Sequence, residues 1–202
     1  MKQFILEGYK GYDLWLTAWD EVEQPKAVVQ ILHGMAEHIG RYGDFAEYLN
    51  SLGYIVIGDD HRGHGLTAGE NKLGLVPDGD CFADTIQDEI AITEYARHEY
   101  GLPVLLFAHS YGSFLAQGYI QRASGEIIGT VLCGSACQSG VAVKFGKAVA
   151  SAQVAVKGKD SPAELIRKLT FGAYDAKFAS ENKDFAWGTR DDAKREKYLA
   201  DK

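Results

Sequence analysis

The sequence predicts an α/β domain, a mostly parallel β-sheet with helices packed on both faces. Three observations point there. The runs 27–32 (AVVQIL), 54–58 (YIVIG) and 103–108 (PVLLFA) are short and almost wholly apolar, as expected of strands buried on both faces. Between them lie segments whose apolar residues recur at helical spacing. The composition is 46% hydrophobic with 23 glycines against 4 prolines, which suits a chain with many tight strand-to-helix turns.

Taken in order, Phe4–Glu7 and Asp13–Trp19 read as two strands joined by the glycine-containing turn Gly8–Tyr12. The AVVQIL strand ends at His33-Gly34. Tyr42–Leu52 then places Phe45, Ala46, Tyr48, Leu49 and Leu52 at helical spacing and stops at Gly53. After the YIVIG strand, Phe82, Ile86, Ile90 and the Tyr95-Ala96 pair share one face of a second helix that stops near Gly101. The third buried strand turns at once into a helix from Ser113 to about Ala123, and Thr130–Cys133 begins a fourth strand. Beyond Ala136 the texture changes. Gln138–Lys159 is rich in alanine and valine with interspersed lysines, and the chain from Pro162 onward reads as short helices of mixed charge. This tail is expected to form a helical cap or a small helical subdomain.

A chain of 202 residues suits one domain. Its 21 basic and 28 acidic residues give a net charge of −7, which argues against nucleic acid as a partner, since such binding needs a basic surface. Only Phe4-Ile5-Leu6 separates Met1-Lys2-Gln3 from Glu7, too short for the apolar region of a signal peptide. The longest apolar stretches are strand-length, far below a membrane span. Cys81, Cys133 and Cys137 are odd in number and lack zinc-type spacing, so reduced thiols and a cytoplasmic compartment are expected. No strand leads into a G-x-G-x-x-G or P-loop pattern, so no cofactor is expected.

The most informative stretch is Ala108-His109-Ser110-Tyr111-Gly112, where a buried strand breaks into a helix. A serine at such a point sits on a sharp turn that lifts its hydroxyl above the sheet edge, and small residues two positions to either side avoid a backbone clash. Here those residues are Ala108 and Gly112, giving A-x-S-x-G where the usual pattern begins with glycine. The bland reading of Ser110 is a helix cap. A second element, His33-Gly34-Met35-Ala36-Glu37-His38, follows the AVVQIL strand. Acyl transfer needs two backbone N–H groups aimed at the developing oxyanion, one from the residue after the nucleophile and one from this loop. Those groups belong to Tyr111 and Met35. His33 and His38 are expected to be loop histidines satisfied by backbone hydrogen bonds. A third element, Asp60-His61-Arg62-Gly63-His64-Gly65, has two histidines three apart but no H-E-x-x-H helix beside it. No metal is expected, and the loop is read as bracing the nucleophile loop.

HGMAEHIGRY at 33–42, DHRGHGLT at 60–67 and AHSYGS at 108–113 together resemble the α/β-hydrolase superfamily. Within it they resemble the monoacylglycerol lipase and lysophospholipase-like group, the serine aminopeptidase S33 family. Trp187–Asp201 is similar to the end of that group's cap. The resemblance implies an α/β-hydrolase core over residues 1–137 and a helical cap, or lid, over 138–202. It implies Ser110 as nucleophile, Met35 and Tyr111 as oxyanion hole, and lipid-like carboxylic esters as substrates. Peptidase or acyltransferase chemistry on the same fold stays open, as does a non-catalytic domain.

In this fold the acid and the histidine follow the serine. The last histidine here is His109, so the catalytic Asp and His are not present after Ser110. His109 precedes the serine and is expected to point away from its hydroxyl, while His61 and His64 lie at the right sheet edge in the wrong order. The resemblance therefore implies a C-terminally truncated core, inactive alone, in which Thr130–Cys133 is an open edge. Marginal stability, self-association through that edge and peripheral membrane contact through the cap are the corresponding expectations.

Overall fold

The computed structural model describes residues 1–69, 72–137, 139–181 and 183–201. Among them, β1 (Lys2–Glu7), β2 (Asp13–Trp19), β3 (Ala27–Leu32), β4 (Tyr54–Asp59), β5 (Val104–His109) and β6 (Gly129–Cys133) form one sheet. Their order is β1-β2-β4-β3-β5-β6. β1 and β2 add an antiparallel margin, whereas β4, β3, β5 and β6 run parallel, as the apolar runs require. Every residue of β3 is buried, which is why its sequence shows no polar alternation.

The helices between strands are α1 (Gly43–Ser51), a single turn α2 (Gly65–Ala68), α3 (Cys81–Tyr100) and α4 (Tyr111–Ala123). Asp80 caps α3 by accepting from the Ala83 amide at 3.0 Å, and Gly101 ends it in the left-handed region at φ 64°. α4 begins at Tyr111, earlier than the apolar spacing alone indicates, because Ser110 by itself carries the reversal from strand to helix. Ile86 and Ile92 of α3 join Leu115 and Tyr119 of α4 in a core with Leu16, Val28, Ile57 and Leu106 of the sheet. A smaller cluster unites Trp19, Val29, Ile31 and Val56 with Ala46 of α1 and with Ile39 in the turn before it. β6 is the outer strand of the parallel side, and Ile128, Val131 and Leu132 are exposed there.

The chain divides into two compact units, Met1–Ala136 and Cys137–Lys202. The second contains α5 (Val141–Lys157), α6 (Glu164–Lys177) and α7 (Asp192–Ala200). Inside it the Trp187 ring stacks on Phe171 at 5.5 Å and meets Phe185 edge-on at 4.6 Å, while Phe185 stacks on Tyr198 at 4.1 Å. Val141, Phe145, Val154 and Val156 of α5 are exposed. Gln138 and Lys202, the two ends of the expected cap segment, lie outside the described residues. No described helix is long and apolar enough to cross a membrane.

Candidate active site

β3 and β5 are parallel neighbours with Leu32 opposite Ala108, so the chains leaving them emerge side by side at one sheet edge. That register places the His33–His38 loop next to the Ser110 bend. Ser110 has φ 50° and ψ −111°, a conformation that side-chain-bearing residues rarely adopt. Its N–H donates to the Cys133 carbonyl at 2.9 Å, and its carbonyl accepts from the Ser113 amide at 3.0 Å and the Ser113 hydroxyl at 2.6 Å. Hydrogen bonds on both sides hold the bend. Gly112 is required by close approach: a Cβ there would lie 2.2 Å from the Leu32 carbonyl oxygen and 2.7 Å from that of His33. Ala108 is fully buried, so alanine fills the position where the pattern ordinarily has glycine.

The loop after β3 is anchored by Glu37, a residue the sequence reading left without a role. Its carboxylate accepts from the Gly34 amide and from the Tyr42 hydroxyl at 2.7 Å, and it faces His109 Nδ1 at 3.0 Å. Burial pushes the Glu37 carboxyl up, but the hydrogen bonds from His109, Tyr42 and Gly34 outweigh it and hold it below its ordinary range. The same hydrogen bond raises His109, against a smaller opposing effect of burial. The pair thus ties the loop carrying Met35 to the residue immediately before Ser110. Glu37, Arg41, Tyr42, Phe107 and His109 line a hollow of about 240 Å³ here. A larger hollow of about 550 Å³ beside Leu102 and Pro103, at the opposite end of β5, holds none of these groups. Met35 is exposed, and Tyr111 opens α4 with its ring stacked on His64.

The third element braces a different partner from the one its sequence suggested. Asp60 accepts from the Ile39 amide at 2.9 Å and the Leu66 amide at 2.7 Å. The His61 N–H donates to His33 Nε2 at 3.0 Å. Arg62 pairs with Asp88 of α3 at 2.6 Å and donates to the Tyr9 carbonyl at 2.7 Å. It is therefore the loop after β3, together with α3, that this turn holds. The turn meets the Ser110 bend through the Tyr111 ring, which His61 and His64 face.

His33 is buried, with Nδ1 donating to the Gly34 carbonyl at 2.7 Å, the satisfied loop histidine expected of it. Burial and the neighbouring His61 hold it far below the ordinary imidazole range. His61 is stacked on it at 3.8 Å with both ring nitrogens engaged: Nε2 lies 3.2 Å from the His33 carbonyl, and Nδ1 faces Asp59 and Glu89. A ring so occupied is unavailable as a substitute base for Ser110. Burial disfavours its charge, but the two carboxylates prevail and raise it well above the usual value. Burial also lifts the Glu89 carboxyl to about 8. Neither acid was marked by the sequence motifs, because only the fold brings Glu89 against β4.

A parallel sheet with a strained serine bend between strand and helix defines the class, an α/β hydrolase. The profile of the family "Serine aminopeptidase, S33" matches residues 23–202, and the chain belongs to that family. It is 34% identical over 123 residues to the monoglyceride lipase of Homo sapiens, covering 60% of this chain and 39% of that protein. Identity is also 34% over 125 residues with the monoacylglycerol lipase of Mycolicibacterium smegmatis, covering 62% and 42%. The monoglyceride lipase homolog of Monkeypox virus is 39% identical over 103 residues, 51% of this chain and 36% of that protein. The alignments thus span about two fifths of the length of these relatives. Among solved structures, a carboxyl esterase from Bacillus coagulans in complex with glycerol superposes with a TM-score of 0.85 at 24% identity, covering 99% of this chain and 65% of that one. A lipase in open form superposes at 0.83 with 27% identity, covering 100% and 66%.

Proposed function

We propose that this chain carries the nucleophile and oxyanion hole of a serine hydrolase for carboxylic esters of lipid-like alcohols, such as monoacylglycerols. The single observation supporting it most is the strained backbone of Ser110, a conformation retained only where surrounding structure enforces it. Ser110 Oγ attacks the ester carbonyl, and the Met35 and Tyr111 amides receive the oxyanion. The alcohol then leaves, and water releases the acid from the acyl-serine. The relatives named monoglyceride lipase support the substrate class. Residues 138–202 act as the lid, with Val141, Phe145, Val154 and Val156 of α5 offering apolar surface to an acyl chain or a lipid interface. The free thiols of Cys81, Cys133 and Cys137 fit a reducing cytoplasm, and the outer strand β6 is the surface for self-association.

The histidine base is the part these 202 residues do not supply after Ser110, so the chain alone turns over slowly or not at all. The engagement of both His61 ring nitrogens favours a second reading: a domain that binds such esters without cleaving them. One experiment separates the two. The purified chain is treated with a fluorophosphonate probe, with and without added imidazole as external base. Labelling at Ser110 that imidazole accelerates and that Ser110→Ala abolishes is the expected result. p-Nitrophenyl esters of increasing acyl length then report chain preference. Labelling no greater than that of Ser110→Ala under all conditions would overturn the hydrolase reading.

A further inference from the structure

Behind the active edge, three ionisable side chains meet inside the core. Asp59 ends β4, His61 lies in the following turn, and Glu89 lies in α3; their exposures are 0%, 1% and 0%. One ligand atom from each lies within 4.8 Å of the other two. His61 Nδ1 is 2.9 Å from Asp59 Oδ1 and 3.0 Å from Glu89 Oε1.

The far side of the His61 ring determines its tautomer. Nε2 lies 3.2 Å from the His33 carbonyl, which can only accept, so Nε2 carries a proton. In the neutral ring Nδ1 is then a bare lone pair facing two carboxylate oxygens. Three acceptors converging on one point in a dry interior need a proton or a cation between them. A proton on Nδ1 would face Asp59 Oδ1 at 2.9 Å and Glu89 Oε1 at 3.0 Å at once; a bound cation is the occupant that meets all three groups equally. Asp59 Oδ1, Asp59 Oδ2, His61 Nδ1 and Glu89 Oε1 are all buried, and none of them makes a well-angled hydrogen bond to another group. The nearby donors are already committed. Gln30 Nε2 donates to Glu89 Oε2 at 2.8 Å, its own carbonyl accepts from Thr93 at 2.6 Å, and Arg62 is spent on Asp88.

We propose that Asp59, His61 and Glu89 form a structural binding site for a divalent transition-metal cation, with Zn²⁺ the best-matched occupant. Two carboxylates, a neutral imidazole and a divalent cation sum to zero charge, which a dry interior favours. One imidazole nitrogen and one oxygen from each of two carboxylates make a three-residue N/O donor set of the kind zinc accepts, fully buried. The separations of 2.9 and 3.0 Å come within a few tenths of the edge, roughly 3.3 Å, of a tetrahedron with bonds of about 2.0 Å. Outer partners are in place as well, since the His33 carbonyl orients His61 and Gln30 holds Glu89. Such a cation clamps β4 to α3 directly beneath His33, the residue from which the Met35 loop departs.

The test uses the whole chain. It is dialysed against chelator, reloaded with Zn²⁺, desalted and assayed for metal by plasma mass spectrometry, with thermal melts in parallel. About one equivalent of zinc is expected, with melting raised by roughly 5 °C or more at a hundredfold excess over Kd. Co²⁺ loading gives visible absorption of the four-coordinate type. Asp59→Asn and Glu89→Gln lose the uptake and the shift, whereas His98→Ala, at an exposed histidine of α3, retains both. Circular dichroism shows whether the variants fold, and the response of the unaltered chain stands without them. No retained zinc and no thermal response in the folded chain would overturn the proposal, as would equal uptake by Asp59→Asn.

Discussion

The two units of this chain treat their apolar residues in opposite ways. In Met1–Ala136, Val28, Ile31, Leu32, Ile57 and Leu106 are withdrawn from solvent between the sheet and its helices. In Cys137–Lys202 only Ala186 and Arg195 are buried among the described residues, while Val141 and Val156 are 82% and 84% exposed. A sheet binds distant segments through its ladders and leaves little tolerance for a misplaced atom. Amphipathic helices need only a partly covered stripe, which leaves apolar surface for a ligand or an interface. The first unit is therefore where single substitutions act through packing, and the second where they act through what they meet.

The sharpest way to break this contrast is at Gly112. Gly112→Val drives a side chain into the Leu32 and His33 carbonyls, and a loss above about 4 kcal/mol in guanidinium unfolding is expected. A tolerated valine would show that the bend is loosely held. Glu37→Gln comes next, since it removes the charge that accepts from Gly34, Tyr42 and His109, at a cost of about 1–3 kcal/mol.

The Glu37 effect carries a pH signature. His109 is raised above 6.5, so its contribution is complete below that value and fades as pH climbs through the raised pKa. Glu37 is lowered below 4.5, so its contribution is complete above that value and fades as pH falls through the lowered pKa. The stability difference between the chain and Glu37→Gln is therefore greatest between pH 4.5 and 6.5 and narrows on both sides. A flat difference across that range would remove the ion pair from the account.

Ser110→Gly, which relieves the positive φ, is expected to raise stability by about 1 kcal/mol in thermal unfolding while eliminating probe labelling. An unchanged or lower melting temperature would mean that the bend stores no strain. The smallest effect belongs to the second unit. Val156→Ser on the exposed side of α5 should change stability by less than about 0.5 kcal/mol, and the α5 amides should exchange with solvent faster than those of β3.

Much of the first unit was legible beforehand because its signals are local. An all-buried strand such as β3 must be apolar throughout, and a serine bend needs small neighbours at fixed offsets; both constraints act within a few residues. The ends of elements were less clear. α4 was placed two residues late because apolar spacing cannot register a reversal completed by one strained residue. The partner of the Asp60–Gly65 turn was misassigned because hydrogen bonds from it to His33, Ile39 and Asp88 span 21 to 28 residues, and no spacing rule reaches that far.

What the amino-acid order determined by itself was the alternation of strand and helix, the S33 family's motifs and the place where Ser110 must turn. Those follow from steric and hydrophobic rules that apply along the chain. The tertiary structure alone decided that Glu37 grips His109 and that Asp59, His61 and Glu89 share a dry interior. Pairings of charge depend on through-space distance and exclusion of water, and both come into being only when β3, β4, β5 and α3 are packed together.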